Sequence, residues 1–212
     1  MSTAALAVSD YCERSAAGLW AEPLNAFSNL AFLLAAALIA WRLWHNAPRQ
    51  WDVWLLAILS AALAIGSFLW HTLATPWSKL TDVVPIGLFI AVFLLAFLRR
   101  VVRWPWPAVV AGFALFQAVN GMALASLPAD ALNGSVFYLP TWAALLLMTV
   151  YCRFTRKPGA PVLLGMLVIF SISLLLRTVD PLVCAVFPAG THFAWHLLNA
   201  LLLYRAMRLL VD

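Results

Sequence analysis

The chain has 212 residues, of which 65% are hydrophobic and only 10% charged, and its formal net charge is +5. This composition excludes an ordinary soluble globular protein and leaves no room for a separate aqueous domain. The basic excess follows the pattern of a membrane orientation signal, described below, so it does not indicate nucleic-acid binding.

Long apolar runs separated by charged or proline-containing connections predict an all-α membrane protein with a bundle of seven transmembrane helices. Each run is long enough, or nearly so, to cross a hydrocarbon core of about 30 Å. Residues 1–22 form an acidic N-terminal segment ahead of a single domain, 23–212. Six spans is the alternative, because Asn133, Gly134 and Pro140 crowd the start of the fifth. The predicted spans are 23–45, 53–74, 82–98, 106–127, 136–152, 161–179 and 190–210.

Basic residues alternate between the connections and predict the orientation of the bundle. The positive-inside rule places the C-terminus in the cytoplasm and the N-terminus on the non-cytoplasmic side. The small size and the Ala/Leu/Arg-rich composition favour a bacterial inner membrane. The predicted cytoplasmic side carries Arg42, Arg49, Arg99, Arg100, Arg103, Arg153, Arg156, Lys157, Arg205 and Arg208, against Arg14, Lys79 and Arg177 on the other side.

Four ionisable residues lie at the ends of predicted spans. His71 closes the second span, Asp82 opens the third, and His192 and His196 open the seventh. With the predicted orientation, all four lie at one depth, near the non-cytoplasmic face. Such residues are costly in membrane helices and normally face a bundle interior or a water-filled cavity. Ser67, four residues before His71, projects from the same helix face.

Three imidazoles at one depth predict a zinc site. Two histidines four apart on one helix and a third on a neighbour supply three nitrogen ligands and leave the fourth position for water. The sequence His192-Phe-Ala-Trp-His196 lacks the glutamate of a zincin helix, so the base must come from elsewhere, and Asp82 is the candidate. The alternative for His71 alone is a packed or interfacial histidine, and for Ser67 a hydroxyl bonded to its own helix.

The first span carries a polar face of Asn25, Ser28 and Asn29 at helical spacing. These side chains are expected to pack and hydrogen-bond inside the bundle rather than to catalyse.

The N-terminal segment places Asp10, Glu13 and Glu22 on the same side of the membrane as the histidines. Such oxygen ligands at irregular spacing could bind calcium, but the residues alone favour a solvated acidic segment. Cys12 and Cys184 also fall on that side, where disulfides persist, and a bridge would tie the N-terminal segment to the loop before the seventh span. Cys152, at the cytoplasmic end of the fifth span, is expected to be a free thiol.

Taken together, these residues resemble the alkaline ceramidase family, within the CREST group of seven-helix membrane hydrolases that includes adiponectin receptors. The resemblance extends over nearly the whole chain, and it depends on the order and spacing of several motifs. These are Asp10-Tyr11-Cys12-Glu13, the stretch from Glu22 to Asn29, Gly66-Ser67 through His71 with Asp82, the stretch from Asp180 to Cys184, and His192 through His196 with Tyr204.

The resemblance implies a set of residue roles. His71, His192 and His196 would bind zinc, Asp82 would act as a proton shuttle, and Ser67 would help to hold zinc or stabilise an oxyanion. The family's disulfide would correspond to the Cys12 and Cys184 pair. A calcium ion would be held by Asp10, the Tyr11 carbonyl, Glu13, Ser15 and Glu22, although the family commonly has asparagine where this chain has Ser15.

The function implied is zinc-dependent hydrolysis of the amide of a ceramide-like membrane lipid, giving a fatty acid and a sphingoid base. Another lipid amide or an ester is an alternative substrate. A heptahelical receptor with structural zinc is an alternative from another class. A metal transporter is disfavoured, because the mid-span polar residues Gln117 and Asn120 form no continuous route through the bilayer.

Overall fold

The computed structural model describes residues 10–128, 130–157 and 159–211, and within these ranges the chain is helical with no β-strand. The predicted all-α class is therefore confirmed. The first nine residues of the predicted N-terminal segment, and Asp212, lie outside the described residues. The α-helices in the described ranges are α1 (Pro23–Ser28), α2 (Leu30–Asn46), α3 (Trp51–Leu73), α4 (Pro76–Phe97), α5 (Trp106–Ser126), α6 (Leu139–Phe154), α7 (Ala160–Val183) and α8 (His192–Val211).

Six helical stretches in the described part of the chain are long and apolar enough to cross a membrane, so this is a multi-pass membrane protein. α8 is not one of the six: its 20 residues include His192, His196, Asn199 and two arginines, which lower its hydropathy. The count of seven spans therefore stays a prediction. The six stretches are Pro23–Asn46, Trp51–Leu73, Pro76–Val102, Trp106–Ser126, Ser135–Phe154 and Ala160–Val183.

The predicted start of the third span was wrong. The sequence predicted a helix that Asp82 opens, but α4 begins at Pro76, so Asp82 lies in its second turn. The cause is a cap: the Thr75 hydroxyl accepts a hydrogen bond from the Ser78 amide, and Pro76 occupies the first helical position, where a missing N–H costs nothing. α4 then continues into a π-helical turn, Leu98–Val102.

Other boundaries differ by a few residues from the prediction. The first predicted span is two helices, α1 and α2, which meet at Asn29. A short 3-10 helix, Ser135–Tyr138, precedes α6, and α7 continues to Val183 with Pro181 inside its last turn.

Close contact between α3 and α4 places the site residues of both helices together. A Cβ on Gly66 would overlap the carbonyl of Thr81, so only glycine allows this approach. The Thr81 hydroxyl donates to the Gly66 carbonyl at 3.2 Å. α8 packs against α2, α3 and α7, whereas α5 is peripheral and buries only Val109.

Candidate metal centre

Three buried histidines form the centre of the site. His71 lies in the last turn of α3, and His192 and His196 lie in the first turns of α8, four residues apart and so on neighbouring turns. One ring nitrogen from each lies within 4.8 Å of those of the other two. Each side chain is at most 3% exposed. The structure thus brings together the three histidines that the sequence predicted to meet.

Two of the rings are held through Nδ1. His71 Nδ1 lies 2.6 Å from a carboxylate oxygen of buried Glu22, and His196 Nδ1 lies 2.7 Å from the Ser28 hydroxyl oxygen. Ser28 uses its own proton to donate to the Asn25 carbonyl at 2.8 Å. In the neutral form that metal binding requires, both histidines therefore carry their proton on Nδ1 and keep the Nε2 lone pair free.

Those two Nε2 atoms are only 3.2 Å apart. Two lone pairs at this separation repel each other unless a cation lies between them. Nδ1 of His192 is buried and has no hydrogen-bond partner among the described residues, while its ring stacks on Tyr11 with centroids 3.7 Å apart. Three convergent imidazoles, two of them oriented by hydrogen bonds at the opposite ring atom, fit a zinc ion.

Asp180 fixes the start of α8, where His192 lies. This fully buried carboxylate in α7 accepts hydrogen bonds from the backbone N–H groups of Thr191 at 2.6 Å and His192 at 3.0 Å. It also accepts from the N–H of Cys12 at 3.0 Å, and Cys12 forms a disulfide with Cys184. The predicted disulfide is confirmed, and Cys152 is a buried free thiol as expected.

Ser67 and Asp82 line a narrow cavity of about 110 Å³ beside the histidines, which we call the chamber. Asp82 thus reaches the site from the second turn of α4, although the sequence placed it at the helix start. The rest of the lining is mainly apolar, with Phe89, Phe93 and Leu202 among its residues, although Thr141, Arg177 and Asn199 also contribute.

A second, wider cavity adjoins the chamber. It has a volume of about 1010 Å³, lies between α4, α5 and the start of α6, and we call it the side groove. Lys79, Asp130 and Asn133 are among its polar lining residues. The two cavities share the lining residues Ile86, Ile90, Phe116, Tyr138, Thr141 and Arg177.

Four of the five groups predicted to bind calcium have other partners in this structure, and one of these, the Tyr11 carbonyl, accepts a hydrogen bond from the Arg14 backbone N–H at 3.3 Å. Asp10 pairs with the Lys79 ammonium at 2.7 Å, and the Glu13 carboxylate accepts from the N–H groups at the start of α1. Ser15 is exposed. Glu22 pairs with the Arg14 guanidinium as well as with His71.

This arrangement does not fit a calcium ion. Lys79 and Arg14 pair with two of the three carboxylates and backbone N–H groups hold the third, Glu13. Within the described ranges no group of three carboxylates converges on one point. Burial raises the pKa of Glu13 above its usual value, despite hydrogen bonds from the backbone of Asn25 and Leu24. Burial also acts to raise the pKa of Glu22, but hydrogen bonds from His71, Asn25 and Arg14 outweigh it and leave the pKa lowered. Calcium binding by the N-terminal segment therefore remains a prediction that depends only on the resemblance.

Sequence reasoning missed several partners of the site. Ser28 was expected only to pack and hydrogen-bond in the bundle, yet it orients His196. Glu22 was assigned to calcium, yet it orients His71. Asp180 entered only as part of a motif, although an acidic residue inside an apolar run is itself a signal of a buried role. Arg177 was counted only as a basic residue on the non-cytoplasmic side, and it lines both cavities.

Comparison with known proteins gives no further assignment. Neither a scan against protein-family models nor a search of curated proteins finds a match to this sequence. The resemblance to alkaline ceramidases therefore stays a prediction from the motifs.

Proposed function

We propose that this protein is an intramembrane zinc-dependent amide hydrolase that acts on ceramide-like N-acyl lipids. The observation that carries the proposal is the convergence of His71, His192 and His196 beside a chamber whose lining includes His192, His196, Asp82 and Ser67. Metal-assisted hydrolysis needs metal ligands, a carboxylate that transfers protons and a hydrogen-bond donor close together. The residues around this chamber provide all three kinds of group.

Zinc, when bound by the three histidines, supplies Lewis acidity that polarises a carbonyl group and makes water more acidic. The residues of the chain supply the remaining functions. Glu22 and Ser28 hold His71 and His196 in the orientation that presents Nε2 to the ion. The Asp82 carboxylate accepts a proton from water and delivers it to the departing amide nitrogen. The Ser67 hydroxyl donates a hydrogen bond to the oxygen on which negative charge develops.

The cavities support a lipid substrate. The chamber admits only a small group, whereas the side groove is of the size that ligand pockets usually have. A lipid amide would lie mainly in the groove and along the apolar chamber wall, with its scissile group beside the histidines. The mainly apolar lining also limits the access of bulk water to the reacting group.

We also propose that α8 is a seventh span and that the histidines face the non-cytoplasmic side of a bacterial inner membrane. The 20 residues of α8 would extend about 30 Å at the helical rise, enough to cross the hydrocarbon core. The Cys12–Cys184 disulfide lies beside the site and supports an oxidising compartment on that side.

Hydrolysis of a defined lipid tests the proposal. Zinc-loaded protein is expected to release fatty acid from ceramide, and His196→Ala is expected to abolish release. His45→Ala is the matched control, because His45 is exposed and lies outside the site. Stable folding and tight zinc binding without hydrolysis of any lipid amide or ester would instead indicate the receptor with structural zinc. Turnover that is unchanged in a folded His196→Ala variant would rule out the mechanism.

A further inference from the structure

Arg177, in α7, places a guanidinium where the chamber meets the side groove. Three aromatic rings surround it: the guanidinium carbon lies 5.8 Å from the ring centroid of Tyr11, 5.7 Å from that of Tyr138 and 5.3 Å from that of Trp195. Cation–π contacts of this kind hold the side chain in place, but they do not neutralise its charge.

The guanidinium has few polar partners. Its Nη1 donates to the Tyr11 hydroxyl at 3.3 Å, and its buried Nε has no acceptor among the described residues. Among the described residues no carboxylate lies within ion-pair distance of the guanidinium, although Asp82 lines the same chamber; Arg100, by contrast, lies 2.9 Å from a carboxylate oxygen of Asp52. A cation in a membrane bundle is costly unless an anion or acceptors satisfy it, so Arg177 has unused capacity for an anion.

Arg177 is also next to the metal centre. The Tyr11 ring stacks on the ring of His192, and the Arg177 guanidinium lies over the same Tyr11 ring, so one aromatic ring contacts both groups. Trp195, which lies between the two zinc-ligand positions of α8 in sequence, contacts the guanidinium as well. A ligand group held by Arg177 would therefore lie in the same cavity as His192 and His196, within reach of one bound molecule.

We propose that Arg177 binds a carboxylate group of the lipid in the chamber. This inference rests on the proposed function, from which it takes a lipid amide as the ligand. It adds that this lipid, or the product of its hydrolysis, carries an anionic group. The planar guanidinium offers paired N–H donors that match carboxylate and phosphate oxygens. The anion comes either from the substrate itself, as an acidic group near the amide, or from the fatty acid that hydrolysis releases.

Binding to metal-free protein tests the inference separately from catalysis. The probes share one oleoyl chain: N-oleoylglycine carries a carboxylate next to its amide, N-oleoylethanolamine is its neutral counterpart, and oleate represents the released acid. Affinities are measured in lipid nanodiscs by displacement of a radiolabelled probe. Because zinc is chelated, a carboxylate cannot bind through the metal.

We expect wild-type protein to bind at least one of the two anionic probes about tenfold more tightly than the neutral amide, since hydrogen bonds to charged groups are the strong ones. Arg177→Gln is expected to remove this preference and Arg177→Lys to retain part of it. Arg208→Gln is the matched control, because Arg208 also contacts a tyrosine ring, that of Tyr204, but lines neither cavity.

The pattern of preferences identifies the source of the anion. Preference for N-oleoylglycine indicates an acidic substrate, and preference for oleate alone indicates product binding. Equal affinity for charged and neutral probes in wild-type protein would overturn the inference, as would a preference that persists in folded Arg177→Gln. If the anion preference is found without hydrolysis of any lipid, the proposed function fails and this inference stands.

Discussion

Glu22 and His71 are joined by a contact of 2.6 Å between a carboxylate oxygen and Nδ1, and both side chains are at most 3% exposed. The two residues are 49 positions apart, on the segment before α1 and at the end of α3. A carboxylate behind a metal-binding histidine fixes the ring orientation and raises its basicity. The N-terminal segment is thus part of the candidate metal centre.

Glu22→Gln is expected to weaken zinc binding by about 10- to 100-fold, the usual effect of losing an outer carboxylate partner. The amide keeps the size of the side chain but not its charge. Competition with a chelator of known zinc affinity measures the change. Asp52→Asn, which alters a carboxylate paired with Arg100 away from the site, serves as the control. Equal zinc affinity in wild-type and Glu22→Gln protein would show that Glu22 has only a structural role.

Gly66→Ala is expected to destabilise the bundle, because the new Cβ would overlap the Thr81 carbonyl and force α3 away from α4. Overpacking of this kind typically costs about 1–3 kcal/mol. The thermal midpoint should fall, and zinc affinity should fall with it, since His71 lies on α3 five residues after Gly66 and would move with that helix. Gly87→Ala is the control: nothing lies within 4 Å of its added Cβ, so stability should hold or rise.

The sequence predicted the helices and the three histidines well, because both depend on patterns along the chain. Apolar runs of membrane length indicate spans, and the spacing of His192 and His196 places both on one helix face. The start of α4 was missed because Ser78, Lys79 and Thr81 look like a polar connection. The Thr75-Pro76 start signal was present in the sequence and outweighs that polarity.

Contacts between distant segments could not be predicted in the same way. Nothing along the chain indicates that Glu22 reaches His71, because an acidic residue before a span is compatible with solvent, calcium or a histidine partner. The position of Arg177 depends on how α7 is rotated against α8, which hydropathy does not determine. For both residues the three-dimensional packing selects one of several possibilities that the sequence allows.

Asp180→Asn is expected to lower both stability and zinc affinity. An amide has one acceptor oxygen, so it cannot receive the three backbone N–H groups of Cys12, Thr191 and His192, and its own N–H₂ would face one of them. Hydrogen bonds to a charged group contribute about 1.5–3 kcal/mol each. Thermal unfolding and zinc titration measure the two effects. Exposed Asp130→Asn is the control, and an Asp180→Asn variant as stable as wild type would refute this assignment.

Calcium is expected to leave the thermal midpoint of wild-type protein unchanged, because Arg14 already pairs with Glu22 inside the segment. Arg14→Gln removes that cation, and we expect this variant to become less stable and to regain stability when calcium is added. Midpoints in millimolar calcium and in chelator make the comparison. A calcium-dependent rise in the wild type would show that Asp10, Glu13 and Glu22 rearrange into the site implied by the resemblance.

Gly87→Phe is expected to obstruct the side groove and so to hinder entry of the lipid. Gly87 lines the groove on α4, is exposed, and has nothing within 4 Å of an added Cβ, so a large side chain there would extend into the cavity rather than into the protein. The KM for ceramide should rise about tenfold or more, while kcat stays near the wild-type value because the metal centre is untouched. Gly121→Phe on α5 is the matched control, since it too has open space around its Cβ but does not line the groove. Equal KM values for the two variants would mean that substrate reaches the chamber by another route.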